Sequence, residues 1–156
     1  MPGRQYLRPY LDTSVYLAAI NGEPGRLSIV RDILDAADRG IVRIVASTFV
    51  AAEVIRPKGE REQVPAEKEL VINEVLDGRR IDWVELDLPL AVESRRLARL
   101  HNLKPADAVH LASAVRAQAD ILLRWNHRFR VDDGITEIEV CDPYWWGEAA
   151  LPFGAP

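Results

Sequence analysis

Residues 6–20 read YLRPYLDTSVYLAAI, and the order of side-chain types in that stretch is the key to the fold. Tyr6, Leu7, Tyr10 and Leu11 make a short apolar and aromatic run of strand character. Asp12, Thr13 and Ser14 follow, and their side-chain oxygens accept from the free backbone N–H groups that open a helix. VYLAAI then continues as that helix. The unit is strand, tight turn and helix, with an acid at the turn.

Outward from this unit the alternation repeats. Residues 27–38 carry Leu27, Val30, Ile33, Leu34 and Ala37 at helical spacing, and Gly40 stops them. Residues 41–46 read as a buried strand. Ser47 and Thr48 can cap the next helix, FVAAEVIR, which puts Glu53 within its first two turns before Pro57 interrupts. Pro65 sits just inside a helix over 66–76, closed by Asp77 and Gly78. A third strand is expected over 82–86 and a helix over 90–100. The helix PADAVHLASAVRAQ opens with Pro105, so Asp107 lies in its first turn. Strands over 121–125 and 137–141 complete the pattern. Strands separated by helices imply βαβ crossovers, hence an α/β fold with a central, mostly parallel five-stranded sheet covered on both faces.

At 156 residues, 48% hydrophobic and 28% charged, the chain has the size and balance of one domain with a proper core. The net charge of −4 argues against a protein that coats nucleic acid nonspecifically, so any nucleic-acid site must be local. The single cysteine, Cys141, has no partner for an internal disulfide and reads as a buried thiol in a reducing compartment. MPGRQYLRPYLD lacks a secretory apolar run, and no stretch approaches the ~20 apolar residues of a membrane span. The expected location is cytoplasmic, without membrane contact.

In an open α/β sheet, active groups gather beyond the carboxyl ends of the strands. Asp12 stands immediately after the first strand, Glu53 about a helical turn after the second, Asp107 at a helix start and Asn126 directly after the fourth. All four are therefore candidates for one cleft. Hard cations such as Mg²⁺ or Mn²⁺ take carboxylate oxygens and keep waters, one of which can be deprotonated to attack a phosphodiester. Without metal, gathered carboxylates repel and have raised, coupled pKa values. Singly the acids are weak signals: Asp12 reads as a helix cap, and Asp107 as an acid favoured by a helix dipole. Glu53 sits in an apolar helix, where it either pairs with Arg56 or holds metal, and these two readings stand level.

The segments YLDTSVYL, ASTFVAAEV, KPADAVHLASAV and ILLRWNHRF, in that order and at those intervals, resemble the successive motifs of PIN-domain proteins, in particular the VapC-like toxins of type II toxin–antitoxin systems. The resemblance spans about residues 6–141. It implies a PIN-like three-layer α/β/α sandwich over 1–142 with an aromatic, Pro- and Gly-rich tail, 143–156, packed on it. It implies a Mg²⁺- or Mn²⁺-dependent endoribonuclease that hydrolyses RNA phosphodiester bonds with metal-activated water. Asp12, Glu53 and Asp107 match the acidic metal ligands, Ser14 matches a polar residue supporting the first acid, and Asn126 falls where many members carry a further acid. Asn supplies a carbonyl but no charge, so one firmly held ion is expected. A cognate antitoxin and a homodimer are implied as partners. The alternatives are a housekeeping RNA-processing PIN nuclease without an antitoxin, or a degenerate PIN scaffold that binds RNA or protein without catalysis. A phosphatase or receiver-type site is a third reading, but nothing singles out the lysine or phosphorylatable aspartate it needs.

Beside the acids, Arg124, His127, Arg128 and Arg130 form the one dense basic run, read as a clamp for RNA phosphates. The competing reading is a solvated loop pairing with Asp132 and Asp133. Thr13, Ser14 and His110 are expected to support the acids through hydrogen bonds, His110 from one turn after Asp107 on the same helix face. Trp125 either stacks on a base or, preferably, fills the core. His101 is expected to face solvent. Three scattered histidines support no zinc site, and no Gly-rich phosphate loop or dinucleotide fingerprint is present. In the tail, Tyr144, Trp145, Trp146 and Phe153 read as a strap over the domain's own core in preference to a partner surface.

Overall fold

The computed structural model describes residues 6–54, 59, 63–126, 135, 137–145 and 147. In chain order the elements are β1 (Pro9–Leu11), α1 (Thr13–Ile20), α2 (Leu27–Asp38), β2 (Ile44–Ser47), α3 (Thr48–Glu53), α4 (Ala66–Val75), β3 (Ile81–Val84), α5 (Leu88–His101), α6 (Pro105–Arg116), β4 (Ile121–Leu123) and β5 (Glu139–Cys141). The five strands form one sheet in the order β3-β2-β1-β4-β5, and every pairing is parallel. From β1 the chain first winds outward to β2 and β3, then returns to β1's other side to lay down β4 and β5. The winding therefore reverses between β1 and β4, and a crevice opens at that point beyond the carboxyl ends of the strands.

Strand alternation sorts the core into two layers. Leu11, Ile44, Ala46, Ile81, Ile121 and Leu123 pack with Val15 and Tyr16 of α1, Val30 and Ile33 of α2, and Ile72 and Val75 of α4. The intervening Tyr10, Val45, Leu122 and Val140 face the other way, onto Leu90 and Leu97 of α5 and Leu111 and Ala114 of α6. The sheet is thus covered on both faces, the three-layer α/β/α arrangement. This alternation has a functional consequence: Tyr10 is delivered to the α6 side, next to His110.

Helix ends follow local chemistry. Asp12, Ser47 and Asp87 each accept a backbone N–H at the start of α1, α3 and α5. Gly40, at φ +73°, closes α2 with its N–H on the Ala37 carbonyl. Asp87 with Pro89 starts α5 two residues ahead of the expected 90, and Pro65 caps α4 from outside instead of lying within it. The strand expected over 6–11 shortens to Pro9–Leu11, leaving Leu7 in an isolated bridge to Val42. Pro9 has no N–H for the ladder, and the Arg8 amide donates to the Asp120 carboxylate instead. Asp120 accordingly lies at the amino ends of the strands, away from the crevice.

His101 and Cys141 differ from their sequence-based assignments. His101, expected in solvent, has a side chain only 6% exposed and 2.9 Å from Glu137. Cys141 is half-buried, and burial pushes its thiol upward. Of the tail, Trp145 packs against the α1 side of the core and Tyr144 is exposed, while Trp146 and Phe153 lie outside the described residues. No helix among the described residues is long and apolar enough to cross a membrane.

Candidate active site

Asp12 leaves β1 while still in register with β4, its N–H donating to the Leu123 carbonyl at 3.1 Å. The backbone is extended at Asp12 and helical from Thr13, which turns the carboxylate back over the first turn of α1. One oxygen, Oδ1, accepts from the Ser14 N–H and the Ser14 hydroxyl. Ser14 Oγ in turn accepts from the Trp125 N–H at 2.9 Å, which ties the start of α1 to the exit of β4. Asp12 is only 3% exposed.

Asp107 arrives from the opposite face of the sheet. Pro105 starts α6 and leaves Asp107 in the first turn, where the helix dipole favours its charge. Its side chain is buried (5% exposed), with Oδ1 3.5 Å from the Asn126 amide that donates to it. Oδ2 is buried and has no hydrogen-bond partner among the described residues. An orphaned carboxylate oxygen in the interior is costly, and it is the kind of defect a cation removes.

Glu53 ends α3 and is half-buried. Its Oε2 accepts from the Thr13 hydroxyl and lies 2.8 Å from His110 Nε2. Arg56, the alternative partner for Glu53, lies outside the described residues. Helical spacing puts His110 beside Asp107, one turn away on α6. Its hydrogen bond nevertheless crosses to Glu53, because the α6 face it shares points at the sheet, where Glu53 and Tyr10 converge.

The electrostatics divide the three acids. Burial raises the Asp12 carboxyl above its usual range; His110 and the Ser14 hydrogen bonds oppose the rise, and Asp107 adds to it. Burial likewise raises Asp107, partly offset by His110 and reinforced by Glu53. Glu53 is lowered: burial would raise it, but the hydrogen bonds from His110 and Thr13, with a smaller electrostatic contribution from His110, outweigh burial.

Among the described residues no three His, Cys, Asp or Glu side chains are gathered closely enough to hold an ion by themselves. Asp12 and Asp107 nonetheless fit a hard divalent cation: both are buried oxygen donors, both are disfavoured when ionised, and Asp107 Oδ2 lacks a hydrogen-bond partner among the described residues. Mg²⁺ commonly takes only one or two carboxylates and completes its shell with water and substrate oxygens. Glu53, turned onto Thr13 and His110, stands beside this pair.

Of the basic run, Arg124 is placed and His127, Arg128 and Arg130 lie outside the described residues, as do Asp132 and Asp133. Arg124, directly after β4, is 8% exposed, with its guanidinium on Asp142. It is therefore not an open clamp for phosphate in this arrangement. Trp125 is partly buried against the core, and Arg26, from the loop between α1 and α2, lies over its ring at 4.8 Å from the centroid. Arg26 also pairs with Glu23 at 2.9 Å. Nothing in the sequence singles out Arg26: it lies in no periodic segment and meets Trp125 only because β4 lies beside β1.

Comparison with known proteins gives these features a family context. The family model described as PIN domain matches residues 10–133. Among solved structures, VapBC2 from Rickettsia felis bound to a promoter DNA fragment superposes with a TM-score of 0.64 at 17% identity, covering 88% of this chain and 99% of that one. A toxin–antitoxin complex from Klebsiella pneumoniae gives 0.61 at 20% identity, with 87% and 98% covered. VapC20 from Mycobacterium tuberculosis, a sarcin-ricin loop cleaving toxin, gives 0.58 at 13% identity, with 83% and 98% covered. At these identities the likeness is one of fold. No curated protein sequence matches the chain.

Proposed function

Because the chain belongs to the PIN-domain family, we propose that it is a Mg²⁺- or Mn²⁺-dependent endoribonuclease, the toxin of a toxin–antitoxin pair. The observation that carries the reading is the pair of buried acids at the reversal point of the sheet, one of them with an oxygen that has no hydrogen-bond partner among the described residues. Asp12 and Asp107 would hold the ion, with Glu53 completing the acidic edge and Asn126 orienting Asp107. When bound, the cation would supply an acidified water and offset the negative charge that develops on the attacked phosphate as the ribose oxygen leaves. Ser14 holds Asp12 in place, and the apolar layers behind both acids exclude bulk water and strengthen every charge interaction in the crevice. RNA as substrate and an antitoxin as partner are supported by solved structures of the same fold, one of them a sarcin-ricin loop cleaving toxin and another a toxin–antitoxin complex.

The test is cleavage of a mixed structured-RNA pool in Mg²⁺, Mn²⁺ or EDTA, with Asp12→Asn protein as the control for contaminating nuclease. Metal-dependent cutting lost in the variant is the expected result. No cutting by folded protein, with no metal-induced rise in melting temperature, would leave a PIN scaffold that binds without catalysis.

Substrate phosphate needs a cation at the crevice, and Arg26 is a guanidinium held at its rim by Trp125. Arg26→Ala should weaken RNA binding about 3- to 10-fold and reduce the slope of log affinity against log salt by about 1, with Mn²⁺ affinity unchanged. Filter binding at several salt concentrations measures this. An unaltered slope would confine Arg26 to bracing its own loop through Glu23.

A further inference from the structure

Behind Glu53 runs a chain of buried hydrogen bonds that metal binding alone does not require. The Ser47 N–H donates to the Tyr10 hydroxyl oxygen at 3.2 Å, and that hydroxyl lies 2.7 Å from His110 Nδ1. His110 Nε2 lies 2.8 Å from Glu53 Oε2 and 3.3 Å from Thr13 Oγ1, whose own proton goes to the same Glu53 oxygen. Tyr10 is fully buried and His110 is 3% exposed.

Proton positions follow from these contacts. Because the Glu53 carboxylate only accepts, a neutral ring leaves its lone pair on Nδ1, and the Tyr10 O–H donates to it while the Tyr10 oxygen accepts from Ser47. The ring proton is then on Nε2, where two acceptors, the Glu53 carboxylate and the Thr13 oxygen, receive it. The opposite tautomer would set an N–H against the Tyr10 proton and a lone pair against a carboxylate, both buried. Ring contacts hold the imidazole in this plane: Tyr10 meets it edge-on with centroids 5.8 Å apart, and Phe49 packs at 6.0 Å.

We propose that Tyr10 and His110 are positioning residues of the nuclease site, a relay whose fixed tautomer aims the Glu53 carboxylate at the acidic edge formed with Asp12 and Asp107. The relay rests on the nuclease reading of Glu53. It spans all three layers: the Ser47 amide at the end of β2, Tyr10 on β1, His110 on α6 and Glu53 at the end of α3. Groups that orient metal-site ligands from behind typically influence metal affinity or activity 10- to 100-fold.

Two RNA-free measurements test it: ¹⁵N chemical shifts of the His110 ring, and Mn²⁺ titration of the same protein. In the unmodified protein His110 should be the Nε2–H tautomer. Tyr10→Phe, which removes only the donor to Nδ1, should weaken that bias and bind Mn²⁺ about 10-fold more weakly while melting cooperatively. His110→Gln, whose amide can still donate to Glu53, should keep more Mn²⁺ affinity than His110→Ala. An Nδ1–H tautomer in the unmodified protein, or native Mn²⁺ affinity in folded Tyr10→Phe, would overturn the proposal. Should Tyr10→Phe not fold, equal affinities for His110→Gln and His110→Ala overturn it. Absence of Mn²⁺ binding in the unmodified protein would defeat the metal reading, and the ring shifts would then judge the relay alone.

Discussion

Asp12→Asn and Asp107→Asn should each lower RNA cleavage by roughly 1,000-fold or more, the scale of losing several kcal/mol of metal-borne stabilisation, without lowering the melting temperature in metal-free buffer. Both carboxyls are raised in the folded chain, chiefly by burial. A raised carboxyl binds its proton more tightly in the folded state than in the unfolded one. The metal-free protein therefore loses stability as pH climbs from the ordinary carboxylate value near 4 through the raised folded values, and the deficit persists above them. Asn carries no charge to bury, so each variant should escape its part of that loss. Asn also caps a helix as well as Asp does, which keeps the start of α1 intact. Glu53 has the opposite sign: its lowered pKa contributes stability above the ordinary value and loses it as pH falls. Melting curves in EDTA at pH 3, pH 5 and pH 8 separate the two behaviours: the Glu53 contribution changes between the first two, and the loss from the raised acids above the ordinary carboxylate value. Loss of folding in both variants would instead make the acids structural.

Ser14→Ala is the second variant with a large expected effect. Its hydroxyl donates to Asp12 Oδ1 and accepts from the Trp125 N–H, so one atom joins the first acid to the exit of β4. Removing it leaves a partly buried N–H without that acceptor and holds Asp12 by the position-14 backbone N–H alone, at a cost of about 1–3 kcal/mol in stability. Mn²⁺ affinity should fall about 10- to 100-fold, because the ligand is held less firmly. Ser14→Thr, which keeps the hydroxyl, should restore most of both. Thermal melts and Mn²⁺ titration suffice, and a destabilised variant with native Mn²⁺ affinity would show that Ser14 braces the fold without orienting the acid.

Much of the scaffold is legible in the amino-acid order because its causes are local. Asp12 followed by Thr13 and Ser14 caps a helix wherever it occurs, Gly40 adopts a positive φ without strain, and apolar spacing places α2 over Leu27–Asp38 as expected. Asp107 in the first turn of α6 follows from Pro105. His110 shows the limit of such reasoning. Helical period tells which residues share its face, but not that the face meets Tyr10 and Glu53, which lie far away in the chain. Arg124 departs from expectation for a related reason: a basic run looks exposed in sequence, whereas this member, at the exit of a strand buried on both faces, is covered and bonded to Asp142.

By itself the sequence determined the elements, their caps, the parallel α/β class and the acids at strand and helix ends, since each depends on residues within a turn or two of one another. Tertiary structure alone decided the partners: which carboxylate His110 serves, which arginine meets Trp125, and which oxygen of Asp107 is left without a hydrogen bond among the described residues. Those outcomes depend on strand order, with β1 between β2 and β4, and strand order is set by the packing of both helical layers against the whole sheet.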